Sequence, residues 1–290
     1  MGNQVEMVFW DVQHGHATYI KSPNGRHIVI DLGTGQYSKN NLTFSPLKHL
    51  RNSYDVTQLD YVIITHPHLD HIDDIMQFDS LNPKVLWRPK SISNQEVMEG
   101  VRQNDWEKFN KYCEINNNYN YSISDNDYNN TDDPNNWGGL QIAGYNAVTC
   151  DHNNFNNFSR ITILEYAGIK VVIPGDNESE SFKELLDNQY FVNKIKNAYI
   201  LLAPHHGRES GYYSDFINKV NPTLTIVSDG KKVDTSANNR YSQVSSGWEV
   251  YSRSGGSKKR YCLSTNNDGH IVVKFGINTS GGSFLYVEGA

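Results

Sequence analysis

Seven consecutive residues, Thr65-His66-Pro67-His68-Leu69-Asp70-His71, set three imidazoles and a carboxylate directly behind an apolar run. Leu59 to Thr65, with Tyr61, Val62, Ile63 and Ile64, reads as a buried strand that stops where the ligand-type side chains begin. Open α/β sheets carry their sites on loops at the carboxyl ends of strands, so this order constrains the fold. Ile72 to Phe78, apolar at Ile72, Ile75 and Met76, is the expected following helix. His66 and His68 sit two apart and can point the same way from an extended segment, whereas Asp70 and His71 fall at the helix start and face a second position. The spacing therefore predicts two metal ions. Imidazole and carboxylate ligands without thiolate suit zinc, manganese or iron.

THPHLDH resembles the HxHxDH signature of the metallo-β-lactamase superfamily, and other segments follow in that superfamily's order along nearly the whole chain. Phe9-Trp10-Asp11-Val12-Gln13-His14-Gly15-His16-Ala17 resembles the DVGQGDA opening of the branch typified by the hydrolase domain of the DNA-uptake protein ComEC. Ile28-Val29-Ile30-Asp31-Leu32-Gly33 resembles that branch's second strand with its IDxG turn. Val171 to Asp176 is similar to the LLTGD strand whose aspartate bridges two metals. Leu201 to Gly207 resembles the HHG element, and Asn267-Asp268-Gly269-His270-Ile271 the DGxI strand near the C terminus. The resemblance implies an α/β (α+β) fold: a single-domain, four-layer αββα sandwich over residues 1–290, with the metals at one sheet edge.

It also implies a ligand set of His66, His68, Asp70, His71, Asp176 and one histidine of the HHG element. His205 is the favoured ligand there, leaving His206 as the candidate catalytic acid. His152, the only histidine between the HxHxDH and GD elements, is expected to complete a His66, His68, His152 site, although Asn156, Asn157 and Ser159 resemble the Asn-Ser-rich segment of ComEC-type domains. The opening loop departs from the branch pattern: His14-Gly15-His16 stands where Gln-Gly-Asp is usual. His14 and His16 are candidate substrate contacts, with hydrogen-bonded loop histidines as the alternative.

Two divalent cations, zinc or manganese, sharing Asp176 would lower the pKa of a water to give hydroxide near neutral pH. Asp70 would hold one metal and orient that hydroxide. The resulting expectation is a two-metal phosphodiesterase, most concretely a DNA nuclease. A small-molecule phosphoesterase similar to phosphocholine esterase, another ester or lactone hydrolase, and a non-enzymatic metal-bound partner-binding module are the alternatives.

Charge bears on the substrate. A formal net charge of −6 argues against a broadly nucleic-acid-binding surface, because lysine and arginine make most phosphate contacts. Between Lys231 and Arg260, however, seven cations face two acids, a balance of +5. Asn239-Arg240-Tyr241 in that stretch resembles an element near the site in the ComEC-like pattern, which makes Arg240 a candidate phosphate clamp. A partner protein supplying further DNA affinity is a second expectation.

Three separated cysteines, Cys113, Cys150 and Cys262, fit a reducing compartment, so a cytoplasmic protein is expected. No stretch nears 18 apolar residues, and the N terminus shows no signal-peptide pattern, so the membrane channel that accompanies ComEC is expected to be absent. Between Asn116 and Asn136 nine of 21 residues are asparagine, with Tyr119, Tyr121 and Tyr128 interleaved. That composition reads as a surface insertion around residues 114–137, preceded by a helix from Gln95 to Tyr112. A further helix is expected from Ser179 to Leu186.

Overall fold

Val5, Met7 and Phe9 alternate with residues of the opposite face along the first strand, and the same period of two recurs in the strands that follow. The computed structural model describes residues 3–36 and 43–289, and it arranges these strands in two large sheets and one short ribbon. Strands β1 to β7 are Gln4–Phe9, Thr18–Lys21, His27–Ile30, Gly35–Gln36, Thr43–Phe44, Tyr61–Ile63 and Leu86–Trp87. Strands β8 to β12 are Gln141–Tyr145, Ile161–Tyr166, Ile169–Ile173, Ile200–Leu202 and Leu224–Val227. Strands β13 to β17 are Trp248–Ser252, Ser257–Arg260, Cys262–Ser264, Ile271–Ile277 and Ser283–Gly289. One sheet has the order β14-β13-β17-β16-β1-β2-β3-β6-β7, the other β15-β12-β11-β10-β9-β8, and β4 pairs with β5.

Alternation builds the core. Ile28 and Ile30 of β3, Ile63 of β6, Val171 and Ile173 of β10, and Ile200 and Leu202 of β11 meet between the two sheets. Val29, Val62, Val172 and Leu201 face the other way, into a cluster with the helix residues Leu47, Leu50, Phe182, Phe191 and Phe216. The architecture is therefore helix, sheet, sheet, helix, as expected. Each fully buried aliphatic or aromatic side chain adds roughly 1.5–3 kcal/mol relative to exposure.

Local differences from expectation have local causes. The helix after the ligand loop covers only Leu69–Ile72 and is followed by a 3-10 segment, Ile75–Leu81. Asp74 interrupts it, because its N–H donates to the Leu32 carbonyl at 2.7 Å and its carboxylate accepts from Leu47 N–H and Ser45 Oγ–H, both at 2.8 Å. The single helix expected from Gln95 to Tyr112 is instead two helices, Asn94–Met98 and Trp106–Asn118. Gly100, at φ +72°, turns the chain between them. The helix Ser179–Leu186 is present as expected.

The Asn/Tyr-rich segment is pinned rather than loose. The Arg26 guanidinium donates to the Tyr128 and Asn136 carbonyls and to Asn129 Oδ1, and lies between the rings of Tyr128 and Trp137, 4.3 and 3.8 Å from their centroids. The basic stretch includes β14, the edge strand of the nine-stranded sheet, whose Lys258 and Lys259 are exposed. Charged edge strands resist edge-to-edge pairing, which gives these lysines a structural role. The three cysteines are free, and no described helix is long and apolar enough to cross a membrane.

Candidate metal centre

Both sheets feed one cluster. His66 and His68 lie on the loop leaving β6, Asp70 and His71 on the short helix after it, Asp176 just beyond β10, and His205 and His206 just beyond β11. β10 and β11 run parallel side by side, so their carboxyl ends open at the same edge. Asp70, His71, Asp176 and His206 come together with their donor atoms within 4.8 Å of one another. His206 Nε2 is 3.1 Å from Asp70 Oδ2, 3.2 Å from Asp176 Oδ2 and 3.2 Å from His71 Nε2, and His71 Nε2 is 3.3 Å from Asp176 Oδ1. Donors at about 2.0–2.1 Å from a tetrahedral ion stand about 3.3–3.4 Å apart, so this set fits one divalent cation.

The ring nitrogens facing away from the cluster are all occupied. His206 Nδ1–H donates to the Ser228 carbonyl at 3.0 Å, and His71 Nδ1–H donates to Asp31 Oδ2 at 2.8 Å. Both imidazoles thereby present Nε2 to the cluster. Asp31 is wholly buried and also accepts from Thr65 N–H, Thr65 Oγ–H and His16 Nδ1–H. The sequence marks Asp31 only as part of a turn. Its position at the carboxyl end of β3, beside the ligand loop, is the signal that identifies it.

Further donor atoms lie beside this set. His66 Nε2 and His68 Nδ1 are 2.9 Å apart, and Asp176 Oδ2 is 3.9 Å from His66 Nε2 and 3.8 Å from His205 Nε2. His66 Nδ1 rests against the hydroxyls of Thr65 and Ser159, each 3.2 Å away. Ser159 Oγ also accepts from Asp176 N–H at 3.1 Å, so this hydroxyl ties both residues together. Gly175, at φ +60°, allows the approach, since a Cβ there would meet Ser159 Cβ at 2.8 Å.

Three expectations change at this point. His152 is not brought to the cluster: its half-exposed ring bonds Glu96 Oε1 at 2.8 Å and packs on Phe158. Of the adjacent pair, His206 and not His205 enters the four-residue cluster, while His205 Nδ1 bonds Glu178 Oε1 at 2.9 Å. His16 is buried with both ring nitrogens engaged, by Asp31 and by Thr18 Oγ1 at 2.7 Å, and so does not face a substrate. The backbone explains the reversal at the pair. His205, His206 and Gly207 are all left-handed, at φ 47°, 53° and 70°, which turns the second histidine inward. Such non-glycine residues each cost on the order of 1–3 kcal/mol and persist where the surroundings hold them.

His14 stands at the opening. Its side chain is 55% exposed, with Nε2 3.4 Å from Asp70 Oδ2 and Nδ1 2.9 Å from Asp229 Oδ1. Arg208 Nη2 holds the other Asp229 oxygen at 2.9 Å. Asp229 follows the apolar strand β12 as Asp176 follows β10, a strand-end signal that the sequence carried unread. Arg240 is not offered to the centre as a bare cation: it pairs with Glu209 and stacks 3.7 Å from the Tyr212 ring centroid.

Charge in the cluster is tightly balanced. Burial alone would raise the pKa of Asp176 and Asp70, but the neighbouring His206 and His71 outweigh it and hold both carboxylates well below their usual range. Burial and the adjacent His71 and His68 push His66 well below the ordinary histidine value. Ionised carboxylates and a neutral His66 are the forms that ligate cations. Against the effect of burial, Asp176, Asp31 and Asp70 push His71 well above the ordinary histidine value, and Asp176 and Asp70 push His206 up to about 10. A cation entering there would displace protons from both rings.

The metallo-β-lactamase superfamily model matches residues 10–228. ComE operon protein 3 of Bacillus subtilis (strain 168) is 26% identical over 252 residues, 82% of this chain and 29% of that protein. A UPF0173 metal-dependent hydrolase of Sulfurisphaera tokodaii is 34% identical over 70 residues, 24% of this chain and 27% of that protein. The chain thus spans under a third of the length of these relatives. Among solved structures, a variant of CmlA, a diiron β-hydroxylase from Streptomyces venezuelae, aligns at TM-score 0.50 with 10% identity. That alignment covers 91% of this chain and 52% of the other, and it shows a shared fold.

Proposed function

The chain belongs to the metallo-β-lactamase superfamily, and on that premise we propose that it is a metal-dependent hydrolase, a phosphodiesterase with two divalent cations that cuts DNA. The observation that carries this reading is the four-donor cluster with the His14–Asp229 pair at its opening. Asp70, His71, Asp176 and His206 would hold one cation, and His66, His68 and Asp176 the other, with His205 beside it. When bound, the two ions activate water and neutralise charge building on a phosphate.

The protein's own groups divide the remaining work. Asp31, Ser159 and the Ser228 carbonyl fix the ligand rings. Asp70 orients the attacking water. His14 is the proton donor to the leaving oxygen through Nε2, and Asp229, itself held by Arg208, orients its ring through Nδ1. His206, given to acid catalysis on sequence grounds, is proposed instead as a ligand.

DNA as substrate rests on the likeness of the opening loop and HHG element to ComEC-type domains. Arg240's pairing with Glu209 favours a small phosphoester as the second reading, because it removes one clamp for a polyanion. A cytoplasmic location and a partner that supplies DNA affinity remain part of the proposal. The test is incubation with single-stranded DNA, duplex DNA, RNA and bis(p-nitrophenyl) phosphate under manganese and under zinc, with His68→Ala and Asp70→Ala alongside. Cleavage that survives both substitutions refutes the site, and hydrolysis of the small ester alone refutes the nuclease.

A further inference from the structure

The edge strand β7 of one sheet and the residues just after the edge strand β8 of the other border a groove of about 390 Å³ whose walls include Tyr61, Trp87, Lys90, Tyr121 and Asn146. No acidic residue lines it, in a chain of net charge −6. Lys90 is exposed and has no acidic partner among the described residues. Tyr121, 96% exposed, projects from the Asn/Tyr-rich segment with no packing of its own. Behind the wall, the Arg160 guanidinium stacks 4.5 Å from the Trp87 ring centroid, in space left by Gly144, and its buried Nε has no hydrogen-bond partner.

The wall of the groove is joined to segments that lead to the metal centre. The Trp87 carbonyl accepts from Ile64 N–H, two residues before His66, and Arg160 follows Ser159, whose hydroxyl touches His66 Nδ1. One uncommitted cation, Lys90, and one exposed ring, Tyr121, in the same groove suit a strand whose phosphates and bases alternate.

Building on the nuclease reading, we propose that the β7–β8 groove holds the nucleotides of a single DNA strand flanking the scissile phosphate, with Tyr121 stacking a base and Lys90 countering a phosphate. An extended peptide added to the β7 edge would be the competing occupant. It would leave DNA binding indifferent to these residues.

The test measures fluorescence anisotropy of a labelled oligothymidylate with the metal-loaded protein and its Tyr121→Ala and Lys90→Glu variants, with Tyr190→Ala as control. Tyr190 is 82% exposed on the helix Gln189–Ile195 and lies outside the groove. Binding is expected to weaken about tenfold in Tyr121→Ala, and the salt dependence of binding to become shallower by about one counterion in Lys90→Glu. The oligonucleotide KM should rise with the dissociation constant while turnover of bis(p-nitrophenyl) phosphate persists. Undiminished affinity in both groove variants, in a protein that cleaves DNA, overturns the groove assignment alone. A protein that does not cleave DNA, whether or not it hydrolyses the small ester, overturns the nuclease reading itself.

Discussion

The Asp31 carboxylate receives the Nδ1 proton of His71 at 2.8 Å and that of His16 at 2.9 Å, so one wholly buried acid orients a candidate ligand ring and the loop that covers it. Asp31→Asn removes the charge that sets the His71 tautomer while keeping the side chain's shape. Metal affinity is expected to fall about 10–100-fold, as for other outer partners of ligand histidines. Isothermal titration of the demetallated protein reads this directly, and unchanged affinity would remove Asp31 from the site.

Metal content separates the three disputed histidines. His206→Ala is expected to retain about one equivalent fewer than the parent by elemental analysis, whereas His152→Ala retains the full complement. In His205→Ala the ion count should persist with weakened retention during dialysis, because that ring borders the second position through Asp176.

Proton donation by His14 predicts a dependence on the leaving group. His14→Gln and Asp229→Asn should slow DNA cleavage about 10²–10⁴-fold in kcat. Bis(p-nitrophenyl) phosphate, whose leaving group departs without a proton, should lose far less. Equal losses on both substrates would assign His14 to binding rather than to proton transfer.

Asp74 gives stability a pH signature outside the candidate ligand set. Burial raises its pKa from 3.8 to about 7, against the opposing hydrogen bonds from Leu47 and Ser45. The folded form thus keeps a proton that the unfolded chain has released. Its contribution is complete below about pH 4, declines from there to about pH 7, and is gone above that. The change amounts to about 4 kcal/mol at most, from three pKa units. Asp74→Asn should flatten the difference in Tm across this window while leaving stability at pH 4 nearly unchanged.

The fold was legible because strand alternation and the ligand motif agree. Ile28, Ile30 and Ile63, or Val171 and Ile173, declare an inward face at period two, and THPHLDH marks the strand end at which a site must open. What escaped the sequence depends on backbone angles and on contacts between distant segments. Whether His205 or His206 points inward is decided by three successive left-handed residues, which no periodicity reports. His152 occupies the expected interval, yet Glu96 and Phe158 take its ring while the Ser159 hydroxyl sits against His66. Asp229 and Glu178 act through partners 215 and 27 residues away, beyond any local pattern.

The candidate ligands come from opposite sheets: His66, His68, Asp70 and His71 from one, Asp176, His205 and His206 from the other. A cation shared through Asp176 would therefore work as a fastener across the open end of the sandwich. Whatever free energy it gains in binding is added to the cohesion of the two halves, about 2.7 kcal/mol at a hundredfold excess over its dissociation constant. Chelation would then loosen the molecule along the seam where substrate enters.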